Sequence, residues 1–284
     1  MLTVLESLNL SSDYLQKHGI ESPRINAELL LASILNCKRL DLYLAFDKPL
    51  SEEELVKYRD FIKRRGKFEP LQYITGSVEF YGIEIKVNPS VLIPRSETEI
   101  LIDSVVEQVN TKEEMNIVDI GCGSGNIAIA LAVNIPNCKV FGIDISKDAL
   151  KISAENAKAS RVMNKMDFHL KDILFDDFSD LPKMDIIVSN PPYVSEEKFA
   201  ALQNEIKYFE PNFAVTDFSD GYKFYRAISE KAKLLLKPGG KIFFELSENQ
   251  HIKVKEIMEA SGIKDININK DYLNIERVIY GVLS

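Results

Sequence analysis

The chain reads as an α/β protein: a doubly wound, mainly parallel sheet with a small N-terminal helical domain, the two joined by a β-hairpin. Three observations carry this. From about Glu97 onward, strand-like apolar runs alternate with helical stretches, the order that builds a parallel sheet covered on both faces. One of these runs, Ile117 to Ile120, passes through a glycine-dense turn into an Ala-rich helix. Before residue 68, in contrast, apolar residues recur at three- and four-residue steps. The expected boundaries are 1–68 for a helical docking domain, 69–94 for the hairpin linker and 95–284 for the α/β domain. At 284 residues and 45% hydrophobic content the chain can bury both cores.

In the helical part, Val4, Leu5 and Leu8, then Ile25, Leu29 and Leu30, then Ile34 and Leu35 keep helical spacing. Pro23 suits a first helical turn, and Ser51 with Glu54 forms a capping box ahead of Leu55, Tyr58 and Ile62. Lys63-Arg64-Arg65 with Lys67 ends that helix, where the backbone dipole favours cations. No constellation of catalytic residue types occurs here, so the domain reads as a docking element. Between Glu69 and Pro94, the runs Val78-Glu79-Phe80 and Ile83 to Val87, joined through Tyr81-Gly82, predict the hairpin. Later strands are expected at Lys139 to Ile143, Asp167 to Lys171, Met184 to Ser189, Lys241 to Leu246 and Arg277 to Val282.

The turn is Gly121-Cys122-Gly123-Ser124-Gly125, followed by the helix from Asn126. Glycines admit close approach of a ligand to the backbone, and the helix start offers free N–H groups. The next strand ends in Asp144, about twenty residues on, the interval at which such folds bind a ribose. Asn126 stands where a dinucleotide fingerprint has its third glycine, which favours an adenosyl ligand without a pyrophosphate. Asp172 could accept from an adenine amino group or cap a helix. At the end of the strand Met184 to Ser189 come Asn190-Pro191-Pro192-Tyr193. An amide or exocyclic amine nitrogen is a poor nucleophile because its lone pair is delocalised. A carboxamide oxygen and a nearby carbonyl can each accept one of its N–H groups and turn the lone pair toward an electrophile. Proline stiffens that backbone, and the tyrosine offers a flat face.

These segments resemble the class I S-adenosylmethionine-dependent methyltransferases, with Rossmann-like folds, and Asn190-Pro191-Pro192-Tyr193 resembles their subset acting on planar nitrogens. Leu92-Ile93-Pro94-Arg95-Ser96-Glu97-Thr98-Glu99 is similar to the signature of the protein-(glutamine N5) methyltransferases of peptide chain release factors. Phe209-Glu210-Pro211, Asp220 to Tyr225 and Asp271 to Arg277 follow in the same order. The likeness runs from about Glu69 to the C-terminus. It implies methyl transfer from S-adenosyl-L-methionine to the glutamine of a Gly-Gly-Gln motif in class 1 release factors. By resemblance, Gly121, Cys122, Gly123, Ser124 and Gly125 cradle the amino-acid end of the cofactor and Asp144 its ribose. Asp172 and Ile173 border the adenine. Asn190 and the Pro191 carbonyl accept the amide protons, while Pro192 and Tyr193 complete the substrate site and Asn190 also adjoins the cofactor. Pro94-Arg95 and Glu97 read equally as a brace for the hairpin, through an Arg–carboxylate pair, and as substrate contacts. Tyr222 and Tyr225 read as core or cleft wall. Two positions depart from the family pattern: Ser247 after Glu245-Leu246, and Asn274, where glycines are usual.

Charge separates the rival substrates. Residues 1–68 carry eleven basic and ten acidic side chains, the remainder 24 and 33. So acidic a catalytic part disfavours a phosphate backbone. Nucleic-acid adenine-N6 or cytosine-N4 methylation, glutamine methylation of a ribosomal protein and non-enzymatic adenosyl binding remain the alternatives. Cys37, Cys122 and Cys138 form no paired framework, and His18, His169 and His251 are scattered, so neither disulfides nor a metal are expected. With no membrane span and no signal segment, a cytoplasmic protein is expected.

Overall fold

The computed structural model describes residues 2–109 and 113–284, and these form two compact units. The first runs to Ser77 and includes Gln203–Phe209; the second comprises Val78–Leu202 and Glu210–Ser284. The first unit contains α1 (Val4–Lys17), α2 (Pro23–Leu35), α3 (Glu52–Arg65) and α4 (Leu71–Thr75). Pro23 occupies the first turn of α2, as its fixed φ favours. At α3 the Ser51 hydroxyl accepts from Glu54 N–H at 3.2 Å and the Glu54 carboxylate accepts from Ser51 N–H at 2.7 Å. Thr3 and Glu6 repeat this box at α1. In α2 the buried stripe is Ala27, Leu30 and Leu31, with Ile25 and Leu29 turned outward. Helical spacing alone marks a helix without saying which flank of its apolar stripe is covered.

The basic end of α3 is internally paired. Arg64 makes a bidentate contact with Glu69 at 2.6 and 2.9 Å. Arg65, buried rather than solvated, donates to Asn26 Oδ1 and Glu205 Oε1 at 2.7 and 2.5 Å. Glu28 is buried as well and accepts from Arg24, Tyr43 and Arg39 at 2.7, 2.8 and 2.9 Å. Burial pushes its carboxyl up, but the hydrogen bonds from Arg24, Tyr43 and Arg39 outweigh this and hold it below its usual value.

The second unit starts at Val78, within a hairpin of β1 (Ser77–Phe80) and β2 (Ile83–Lys86). Tyr81 and Gly82 at its tip both have positive φ, 52° and 71°, the backbone that a tight hairpin turn needs. Within residues 69–94, α4 groups with the first unit and the hairpin from Val78 onward with the second. The hairpin is braced by Tyr81 N–H donating to Glu99 and Tyr81 Oη to Asp103, at 2.8 and 2.7 Å, both on α5 (Glu99–Glu107).

Next come β3 (Met115–Ile120), α6 (Asn126–Asn134), β4 (Cys138–Asp144), α7 (Lys147–Ala159), β5 (Met166–Leu170) and β6 (Met184–Ser189). The short helices α8 (Glu196–Phe199), α9 (Asn204–Phe209) and α10 (Asn212–Val215) precede α11 (Lys223–Leu235), β7 (Leu236–Glu245), α12 (His251–Ala260), β8 (Ile263–Lys270) and β9 (Glu276–Leu283). Among the described residues seven strands pair in the order β5-β4-β3-β6-β7-β9-β8. The first five are parallel, while β9 runs antiparallel to both β7 and β8. Helices α5, α6 and α7 pack as one layer, α11 and α12 as another. The strand order reverses at β3, with β4 on one side and β6 on the other. Such a switch point opens a crevice at the carboxyl ends of the strands.

Candidate active site

The crevice is a cavity at the ends of β3, β4 and β6, lined among others by Gly121, Gly123, Asp144, Asp172, Ile173, Asn190, Pro191 and Pro192. Residues drawn from four separate stretches of sequence are thus brought together. Cys122, Ser124, Gly125 and Tyr193 stand outside that lining. Cys122 and Ser124 are buried behind it, and burial pushes the Cys122 thiol up, which makes it inert.

The glycine turn is held by N–H groups of Gly121 and Cys122 donating to the Ile143 carbonyl, at 2.8 and 3.0 Å. Gly121 and Gly123 have φ of 77° and 53°, and a side chain on either would point into open space rather than into protein. The backbone there is bare on the cavity side. Asn156 of α7 donates to the carbonyls of Ser124 and Lys86, at 2.9 and 3.0 Å, so the turn and β2 share one anchor. At the end of β4, Asp144 accepts from Gly123 N–H and Ser146 N–H, both at 2.9 Å. Burial raises its carboxyl, and those two bonds with Ile145 N–H pull against it.

Asp119, two residues before the turn, was not singled out from the sequence. It is buried, its Oδ2 accepts from Ala128 N–H at 3.2 Å, and its Oδ1 has no hydrogen-bond partner among the described residues. Burial drives this carboxyl up to about 7, with Asp144 adding repulsion. Its signal in the sequence was an acid inside an otherwise apolar strand. Asp172 is at the cavity but caps no helix: its Oδ1 accepts from Leu174 N–H at 2.8 Å in a local turn. Ile173 is buried beside it. Phe213 and Phe224, also unforeseen, add apolar wall.

Asn190 follows β6, whose last residue, Ser189, donates to the Ile120 carbonyl at 2.6 Å and ties the ends of β6 and β3 together. Asn190 Nδ2 donates to Thr98 Oγ1 at 3.3 Å. Tyr193 packs on the core, its hydroxyl 3.5 Å from Glu245 Oε1 and its carbonyl accepting from Gln250 Nε2 at 3.2 Å. Gly221 lies so close that a side chain there would meet the Tyr193 carbonyl at 2.8 Å, which explains the glycine in Asp220-Gly221-Tyr222. Tyr225 is core, donating to the Glu245 carbonyl at 2.7 Å. Arg95 pairs with Glu210 of Phe209-Glu210-Pro211, whose other oxygen accepts from Ile93 N–H at 3.2 Å. Arg95 therefore does pair with a carboxylate, but with Glu210, which ties the segment before α5 to the one before α10 rather than the hairpin to the sheet. Asn274 has φ of 63°, the backbone a glycine would take, whereas Ser247 is not in that region.

The residues present fit S-adenosylmethionine. Bare turn backbone, an acid at the end of β4 and an orphaned buried carboxylate oxygen at Asp119 provide acceptors and space for a cationic amino-acid adenosyl ligand. No group of three or more His, Cys, Asp or Glu suited to a metal occurs among the described residues. No helix among them is long and apolar enough to cross a membrane.

Comparison with known proteins places this site in context. Residues 6–76 match the PrmC N-terminal domain model and residues 111–276 a methyltransferase domain model. A methyltransferase structure from Pyrococcus furiosus shares the fold, with a TM-score of 0.50 at 17% identity over 72% of this chain and 90% of that one. The fold and site thus define an S-adenosylmethionine-dependent methyltransferase. Release factor glutamine methyltransferases of Geobacter sulfurreducens and Bacillus subtilis are 38% and 35% identical to it. The matches cover 98% and 100% of this chain, and 96% and 99% of those proteins. One from Fusobacterium nucleatum is 38% identical over 97% of this chain and 77% of its own length. The chain belongs to the release factor glutamine methyltransferase family.

Proposed function

We propose that this protein methylates the side-chain nitrogen (N5) of the glutamine in the Gly-Gly-Gln motif of class 1 peptide chain release factors. One observation carries the reading: the Asn190 carboxamide opens on the cavity beside Pro191 and Pro192 with its nitrogen tied to Thr98, and the bare glycine turn lines the same cavity. Asn190 Oδ1 and the Pro191 carbonyl are the acceptors for the two N–H groups of a substrate amide, which turns its lone pair away from both. When bound, S-adenosylmethionine supplies the methyl group on a sulfonium, already a good leaving group. The work left to the chain is orientation and electrostatics. Gly121 and Gly123 hold the amino-acid end, Asp144 the ribose hydroxyls, Asp172 and Ile173 the adenine edge. Tyr193, stiffened by Pro191 and Pro192, packs on the core behind the cavity lining and supports the segment that carries Asn190. No strong base is required, because an alkylated amide nitrogen is acidic and loses its proton to a neighbouring acceptor or water.

The names of the relatives support the protein substrate, and so does charge: the acidic catalytic part and the internally paired Arg64 and Arg65 offer little to a phosphate backbone. The N-terminal unit is the docking element, and a translation factor as substrate supports a cytoplasmic location. Supplying methyl-labelled S-adenosylmethionine with a release factor, a ribosomal protein and duplex DNA in parallel tests this. Label is expected on the release factor glutamine; label on DNA or the ribosomal protein alone would refute the reading.

A further inference from the structure

Behind Asn190 lies a line of buried polar groups. Thr98, fully enclosed, accepts from Asn190 Nδ2, and its hydroxyl lies against the Glu245 carboxylate. Glu245 is 3% exposed, its Oε2 has no hydrogen-bond partner among the described residues, and its Oε1 is 3.5 Å from the Tyr193 hydroxyl. Thr98 and Glu245 are 92 residues or fewer from Asn190 in either direction along the chain but belong to the same second unit, at the ends of neighbouring elements. No hydrogen bond among the described residues engages Asn190 Oδ1.

We propose that Glu245 is a positioning residue which, through Thr98, holds the Asn190 carboxamide with its oxygen toward the cavity. This rests on the reading that Asn190 accepts a substrate N–H. The logic is one of proton supply. A hydroxyl has a single proton and two lone pairs. An ionised Glu245 can only accept, so it takes the Thr98 proton and leaves Thr98 Oγ1 as an acceptor. Only the Nδ2 end of Asn190 can then face Thr98, and Oδ1 faces the cavity. A protonated Glu245 can donate to Thr98 instead. The Thr98 proton is then free to turn to Oδ1, and the flipped amide would aim two N–H groups at the N–H groups of the substrate.

Several groups face this acid. Arg277 of β9 favours the ionised form, as do the Thr98 and Tyr193 hydroxyls, whereas Glu97 opposes it. Tyr225 of α11 is bonded to the backbone carbonyl of Glu245 and to Gln250, so its hydroxyl is already engaged. Burial is the strongest influence and lifts the carboxyl to about 7, so the direction of the relay changes over near neutral pH.

The protein with a release factor and labelled S-adenosylmethionine tests the relay. Turnover, KM for the release factor, cofactor affinity by calorimetry and melting temperature are read between about pH 6 and pH 9. Thr98→Val is expected to lower kcat about 10- to 100-fold with cofactor affinity within about twofold, and Thr98→Ser to recover most of it. Wild-type kcat should rise with pH on a limb near the Glu245 transition. A glutamine at 245 can accept from Thr98 or donate to it and enforces neither direction. Glu245→Gln should therefore lower kcat and abolish that limb. A Thr98→Val kcat within about twofold of wild type, or an acid limb kept in Glu245→Gln, overturns the proposal. So does a loss of cofactor affinity and melting temperature that accounts for the loss of kcat. Should Glu245→Gln not fold, the Thr98→Val and Thr98→Ser pair decides. Wild-type protein that methylates DNA and not the release factor would refute the substrate reading instead. The same kcat comparison on DNA would then still judge the relay.

Discussion

The N-terminal unit and the catalytic unit bury their acids in opposite ways. Glu28 is enclosed by Arg24, Arg39 and Tyr43 and held below its usual pKa, because every hydrogen bond to it favours the charge. Asp119 and Glu245 each keep an oxygen without a hydrogen-bond partner among the described residues, and burial drives both up to about 7. A fully paired buried carboxylate is a structural tie. An under-satisfied one costs stability; here Asp119 directly precedes the lining residue Ile120, and Glu245 stands behind Asn190 through Thr98. The difference accords with the proposed division, scaffolding in the first unit and chemistry in the second, without recourse to charge totals.

The contrast can be broken at several points. Asn190→Ala has the largest expected effect: methyl transfer to a release factor should fall about 100- to 1000-fold, with cofactor affinity nearly unchanged. Unchanged turnover would remove the carboxamide from the mechanism. Glu28→Ala strands the guanidinium groups of Arg24 and Arg39, both partly solvated, and should cost about 2 kcal/mol in urea unfolding. Cofactor affinity of the folded fraction should not change, and a loss there would blur the division of labour. Ser51→Ala removes the α3 cap and should cost about 1 kcal/mol by the same measurement.

The smallest and most discriminating test is pH. Asp119 and Glu245 bind protons more tightly folded than unfolded. Their contribution to stability is therefore present below an unfolded pKa of about 4 and is lost as pH rises through about 7. Glu28 has the opposite sign: its contribution is present above about pH 4 and is lost as pH falls below that. Urea midpoints should decline from about pH 5 to pH 8, and Asp119→Asn should flatten that decline. A slope unaltered in Asp119→Asn would show that its carboxyl is not the group that titrates.

Much of the fold is local and so was legible. Ser51 and Glu54 cap a helix within one turn, Tyr81-Gly82 turns a hairpin, and Gly121 to Gly125 turns a strand into a helix. The antiparallel edge strand β8 was not anticipated. Its sequence, Ile263 to Lys270, mixes apolar and charged residues as exposed edges do, without a clear period. Residues 236–240 also joined β7, whose start was expected only at Lys241; a register shift opposite Met184 and Ile186 accommodates them. Pairing between distant charges was equally hidden. Arg95 was expected to find a carboxylate, yet nothing in its neighbourhood of the chain pointed to Glu210.

Sequence alone determined the two kinds of domain, the glycine turn, Asp144 and the Asn190-Pro191-Pro192-Tyr193 segment, because residue spacing and side-chain chemistry within a few residues specify each. Tertiary structure alone decided that Thr98 and Glu245 stand behind Asn190, that Asp119 keeps an orphaned oxygen, and that the Asp172 carboxylate closes a local turn. Those facts depend on which strand ends become neighbours and on how much water is removed between them. Both are set by the packing of the whole sheet, and neither is written in any short stretch of the chain.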